Sequence, residues 1–182
     1  MTAHTFDATT AIPGVLKSQY HASLAMLREA IEQCPDELWL DARPKNAFWQ
    51  VAYHALFFAH LYAGQDEAAF SPWVEHQRDN QFEDAIAGAP DPASALPLLP
   101  RPYTKDQVLR YWSAVDGMID GIVDGLDLRR SDSGFSWYRM SKLEHAILSI
   151  RHIQHHAAQL ADRVRASRDV GVRWVGSKPK DA

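Results

Sequence analysis

Residues 47–63 read AFWQVAYHALFFAHLYA, and only Gln50, His54 and His60 are strongly polar within that run. A segment that is apolar almost all round belongs at the centre of a helical protein, covered on every side. It is too short and too interrupted to read as a membrane span. Asn46 can cap its start and Gly64 can close its end, which predicts a helix over about 46–63.

Three more segments carry a helical period, and strand signals are poor. From Pro13 to Gln33, Leu16, Tyr20, Leu24, Leu27 and Ile31 form one apolar stripe. Pro13 suits a first helical turn, and Pro35 discourages continuation. A third helix is predicted from Thr104, whose spacing to Gln107 is that of a capping box. Val108, Tyr111, Trp112, Val115, Met118, Ile119, Ile122 and Leu126 supply its apolar face. A fourth is predicted from Ser141, spaced likewise to Glu144, to about Ala166, with Leu143, Ile147, Ile150 and Leu160 turned to the core.

The stretch 65–103 is long for a helix hairpin and holds Pro72, Pro90, Pro92, Pro97, Pro100 and Pro102. It has room for a short helix near 81–87 and can cross a bundle end to end. The expected fold is therefore all-α: a four-helix bundle with a long crossover between helices 2 and 3. One domain over 1–182 is expected, with a core of about 13–168 and a C-terminal extension, 169–182, in which Trp174 packs back.

Composition narrows the function. Hydrophobic residues make up 46% and charged residues 23%, and the net charge is −4, so the chain lacks the basic footprint of a nucleic-acid binder. No charged n-region leads into an apolar h-region, and Cys34 is the only cysteine, which excludes an internal disulfide and a thiolate metal cluster. A cytoplasmic location is expected, with no membrane partner. There is no nucleophile elbow, P-loop or dinucleotide-binding glycine pattern.

Histidines carry the chemistry. In SIRHIQHHAAQL, residues 149–160, His152 and His156 stand four apart. On a helix they lie about 40° apart around the axis and about 6 Å along it, so both imidazoles can reach one ion. His155 points about 60° to the other side of His152. A polar helix face would give the same pair. A third ligand has to come from another helix, where His54 and His60 sit about 120° apart and cannot readily serve one site together. His54 lies at the middle of its predicted helix, as the 152/156 pair does in its own. It is the better candidate, with a core histidine bonded to a backbone carbonyl or a hydroxyl as the alternative reading. His145 lies about 10 Å from His152, too far for the same ion. His4, His21 and His76 are given no role. Three imidazoles would leave a position open for water or substrate, with zinc, nickel, iron or manganese as the ion. Gln159 either bonds the metal-bound water or orients a ligand histidine, or it simply faces solvent.

Taken together, FWQVAYHALFFAHLY and RHIQHHAAQL resemble the DinB-like family of bacterial four-helix bundles with a three-histidine metal site. The His-x-x-x-His-x-x-Gln pattern is met by His152, His156 and Gln159, and the tryptophan–histidine pattern by Trp49 and His54. PYTKDQVLRYW and RWVG also look like one branch, and the similarity runs from about 13 to 176. The resemblance implies an up-down-down-up bundle, often a homodimer, with a divalent metal, zinc or nickel first, on His54, His152 and His156. Relatives include bacillithiol S-transferases and mycothiol-dependent maleylpyruvate isomerase. That leads to an expected metal-dependent thiol S-transferase using a low-molecular-weight thiol on a small electrophile, with Gln159 and Tyr53 as helpers. A metal-dependent hydrolase and a non-catalytic metal- or ligand-binding bundle are the alternatives. His60 departs from the branch, where an acidic residue is common.

DGMIDGIVDGLD, residues 116–127, places Asp116, Asp120 and Asp124 in one helical stripe and Gly117, Gly121 and Gly125 in the next. The carboxylates are not spaced for a calcium loop and read as a solvated stripe. The glycines leave room for close approach of another helix or subunit.

Overall fold

The computed structural model describes residues 8–41, 43, 46–77 and 101–179. It is all-helical among those residues: α1 Ala8–Gln33, α2 Asp36–Trp39, α3 Phe48–Ala63, α4 Lys105–Gly125 and α5 Lys142–Arg168. α1 packs on α4 and α5, and α3 packs on α4 and α5. No helix among the described residues is long and apolar enough to cross a membrane. The predicted helix near 81–87 and most of the long connection fall outside the described residues.

Local chemistry explains the helix ends. Thr104 Oγ1 accepts the Gln107 N–H, and Gln107 Oε1 accepts the Thr104 N–H, closing a reciprocal cap on α4. Ser141 Oγ accepts the Glu144 N–H at the start of α5. Two boundaries differ from expectation. The cap position of α3 is Ala47 rather than Asn46, because Gln50 reaches back and its Oε1 takes the Ala47 N–H at 2.6 Å. α1 begins at Ala8 with Pro13 inside it, where the missing N–H interrupts the ladder once and the helix runs on. The one-turn α2 is too short to show a period in sequence. It is anchored by Trp39, whose indole N–H donates to Tyr103 O at 2.8 Å.

α3 is the central element: every residue in it except Gln50, His54 and His60 is buried. The α1 stripe Leu16, Tyr20, Leu24, Leu27 and Ile31 is buried as expected. On α5, Leu160 is buried and Leu143 and Ile150 pack partly buried against the core as expected, but Ile147 is 48% exposed. The inward face also carries polar groups that the apolar pattern did not indicate: Lys142, His145 and Ser149 are fully buried beside Ile153 and Ala157.

Two seams outside this core were misread in sequence. The Asp116, Asp120 and Asp124 stripe is not simply solvated, because it faces α1. His21 Nδ1 lies 2.7 Å from Asp116 and its Nε2 2.9 Å from Asp120, while Lys17 pairs with Asp124. Lys17 and His21 are themselves four apart, so two complementary stripes meet. Gly117, Gly121 and Gly125 are exposed, with open space where a Cβ would stand. The C-terminal segment runs back along α1: the Arg173 N–H donates to Glu29, Gln19 donates to Gly176 O, and Lys178 reaches Ser18 and Asp120. Trp174 does not pack back; it is 73% exposed, and Val172 and Val175 make the apolar contact instead.

Buried ionisable groups tie α5 to its surroundings. Lys142 Nζ donates to Gly64 O, just past α3, and to Ser133 O in the loop before α5, and burial pushes its pKa down to about 8. His145 stacks on Phe135 at 4.7 Å, with Tyr62 and Tyr138 alongside, and neither ring nitrogen has a hydrogen-bond partner among the described residues. Burial, helped by the Lys142 charge, pushes the His145 pKa down to about 4. An unfolded histidine titrates near pH 6.5, so between that pH and about 4 the unfolded state binds the extra proton and stability falls as pH falls. Without added metal, going from pH 7 to pH 5 should cost about 2 kcal/mol through this group. His145→Phe should remove that part of the loss, measured as urea midpoints at the two pH values. An identical acid loss in the variant would show that His145 does not cause it.

Candidate metal centre

His54, near the middle of α3, faces His152 and His156 on α5. His152 Nε2 lies 3.2 Å from His54 Nε2 and 3.0 Å from His156 Nε2. One ligand atom from each of the three lies within 4.8 Å of the others. Phe58 packs on both His54 and His152 at ring separations of 4.7 and 5.7 Å, and Tyr62 closes on His152 at 6.1 Å. The nitrogens therefore converge against an aromatic wall while the three residues themselves stay half-buried.

The donor set fits a divalent cation on two grounds. Imidazole nitrogens bind zinc at about 2.0–2.1 Å, and at that radius three of them stand roughly 3.0–3.4 Å apart. The observed separations of 3.0 and 3.2 Å match that spacing. The second ground is proton counting. His156 Nδ1 lies 2.8 Å from Gln159 Oε1 and donates to it, so His156 Nε2 carries a lone pair. His152 Nε2 then has one proton or one lone pair with which to meet two nitrogen neighbours. Neutral imidazoles cannot satisfy both contacts; a cation between them can.

Electrostatics point the same way. Burial, then the neighbouring imidazoles, pushes His152 down to about 3. Burial and His54 push His156 down to about 4 against the opposing Gln159 hydrogen bond. Both rings are neutral at pH 7 and hold their lone pairs available for a ligand bond.

The other candidates go elsewhere. His155 is exposed, its ring 5.1 Å from that of His156 and outside the cluster. His60 turns to Tyr111, with Nδ1 3.1 Å from the hydroxyl, and burial lowers its pKa. Gln159 is brought onto the centre through His156. Tyr53 is not: one residue along a helix turns a side chain by about 100°. Its hydroxyl sits 2.6 Å from His76 Nδ1, and its ring stacks on Tyr103 at 4.4 Å and lies near Tyr111. Burial there and the Tyr103 hydroxyl raise the Tyr53 pKa. His76, given no role in sequence, joins this aromatic cluster from the connection after α3, where no period could place it. Cys34 is buried, and that burial outweighs nearby Lys105 and pushes its thiol up to about 12, leaving it unreactive.

Comparison of the chain with protein-family models, curated proteins and solved structures finds no match in any of the three.

His54→Ala should weaken zinc binding by more than the roughly 10–100-fold expected from losing an outer hydrogen bond to a ligand histidine, whereas Gln159→Leu should fall within that range. His155→Ala should leave affinity unchanged. Calorimetric titration of the four proteins checks the order, and the reverse result for His54 and His155 would move the site to another face of α5. Affinity should also fall as pH drops and protons compete for the imidazoles.

Proposed function

We propose that this protein is a DinB-like, divalent-metal-binding four-helix bundle that acts as a thiol S-transferase on a small electrophile. The observation that carries the reading is the convergence of His54, His152 and His156 Nε2 atoms from two helices. Packing of α1 and α3 each against both α4 and α5 supports the bundle. Up-down-down-up order, with the connection between α3 and α4 as the crossover, is the proposed topology.

His54, His152 and His156 would hold zinc or nickel, with iron or manganese as further candidates. When bound, such an ion supplies a Lewis acid that lowers the pKa of a thiol reaching it and favours the nucleophilic thiolate. The protein's own contribution is preorganisation. Gln159 fixes the His156 tautomer so that Nε2 points inward as a lone pair. Phe58 and Tyr62 shield the inner side of the cluster from water. Three protein donors leave a coordination position for an exogenous ligand. Buried, unreactive Cys34 leaves the nucleophile to come from a separate small thiol, as a reducing cytoplasm would supply. A homodimer is part of this reading, and the outward glycines of α4 leave room for it.

The test incubates zinc- or nickel-loaded protein with several low-molecular-weight thiols and a general electrophile. Turnover above that of free metal, lost in His54→Ala, is expected. Turnover that needs metal but no thiol would instead indicate hydrolysis, and tight ligand binding without turnover a binding protein. Light scattering after gel filtration should give the mass of a dimer; a monomer at high micromolar concentration would sink that part.

A further inference from the structure

A histidine that binds a metal through Nε2 holds its orientation by donating Nδ1–H to something else. His156 uses Gln159. His152 Nδ1 is buried and has no hydrogen-bond partner among the described residues. A second buried polar atom in the same condition lies one turn earlier on α5. Ser149 is fully buried, and its Oγ has no hydrogen-bond partner among the described residues, not even the carbonyl four residues back that helical serines commonly use. Residues three apart on a helix are neighbours, with Cβ atoms about 5–6 Å apart. The two orphan atoms thus belong to adjacent side chains on the inner face of α5.

Tyr20 of α1 completes the set. It is fully buried, and its hydroxyl donates to Ala146 O at 3.3 Å. Burial raises the Tyr20 pKa to about 12, and the adjacent Ser149 hydroxyl partly offsets this. The Ala146 carbonyl can only accept, so the Tyr20 O–H is committed to it. The lone pairs of Tyr20 Oη then remain for the Ser149 O–H, which leaves Ser149 Oγ to accept a proton donor. Serine has one side-chain torsion, so a single rotation aims that oxygen.

We propose that Ser149 and Tyr20 are positioning residues for the metal centre, in a directed chain: His152 Nδ1–H to Ser149 Oγ, Ser149 O–H to Tyr20 Oη, Tyr20 O–H to Ala146 O. The chain holds the His152 proton on Nδ1 and its lone pair on Nε2, and it anchors His152 to α1, a helix that supplies no ligand. This inference rests on the metal reading of His54, His152 and His156.

The experiment compares wild type, Ser149→Ala, Ser149→Thr and Tyr20→Phe, each as the full chain. Zinc affinity is read by chelator competition, the His152 Nδ1–H by imidazole nitrogen NMR of the zinc-loaded protein, and unfolding midpoints without zinc. Ser149→Ala should bind zinc about 10–100-fold more weakly. Tyr20→Phe should weaken it less, and Ser149→Thr, which keeps the hydroxyl, should restore most of the affinity. The Nδ1–H signal should exchange slowly in wild type and rapidly in Ser149→Ala. A role confined to packing would lower the unfolding midpoint of Ser149→Ala and leave both that signal and zinc affinity in place, which overturns the proposal. Unchanged affinity and exchange in a stable Ser149→Ala overturn it too, with the metal reading intact. Wild type that binds no zinc overturns both.

Discussion

α3 has no face to give to water. Apart from Gln50, His54 and His60, all of it is buried. Each large apolar side chain there contributes roughly 1.5–3 kcal/mol by leaving solvent, so the other elements have to cover it from several directions. α4 and α5 do so directly, and α1 packs on both of them. The same constraint places the chemistry. On a helix buried this completely, an imidazole must find a polar partner inside the protein or forfeit its hydrogen bonds. His54 meets this at the α3–α5 contact, and His60 meets it at Tyr111 on α4.

The inner face of α5 shows what this arrangement costs. Lys142, His145, Ser149 and His152 all turn toward positions where leucine or isoleucine would pack without penalty. Lys142 repays its desolvation by binding carbonyls at Gly64 and Ser133, which joins the end of α3 to the loop before α5. His145 lies among aromatic rings without a hydrogen bond to the described residues. Burial and the nearby Lys142 charge favour its neutral form.

Cohesion between α1 and α4 has a different character. There the apolar stripe of α1 is flanked by Lys17 and His21, which meet Asp116, Asp120 and Asp124. Asp120 also receives Lys178, so the C-terminal segment joins the same polar seam. His21 is buried and bonded at both nitrogens, whereas Asp124 is largely exposed. The inner members of the seam therefore outweigh the outer ones, because solvent screens an exposed pair.

Four long helices, the caps at Thr104 and Ser141 and the central place of α3 could all be read in the sequence, since each depends on residues within a turn or two of one another. The His152/His156 pair was legible for the same reason, and His54 followed from its place at mid-helix. Other features required the folded chain. Relative depth and rotation of α3 and α5 bring Nε2 atoms from positions 54 and 152 to within 3.2 Å, and no local period encodes either quantity. Docking also decides that Tyr53, about 100° around α3 from His54, meets His76 and Tyr103, and that Ile147 faces outward on α5. Meeting of the Lys17/His21 and Asp116/Asp120/Asp124 stripes, and the attachment of the C-terminal segment through its backbone rather than Trp174, follow from how helices far apart in sequence dock. Local pattern determines which side chains share a helix face; only packing determines what that face meets.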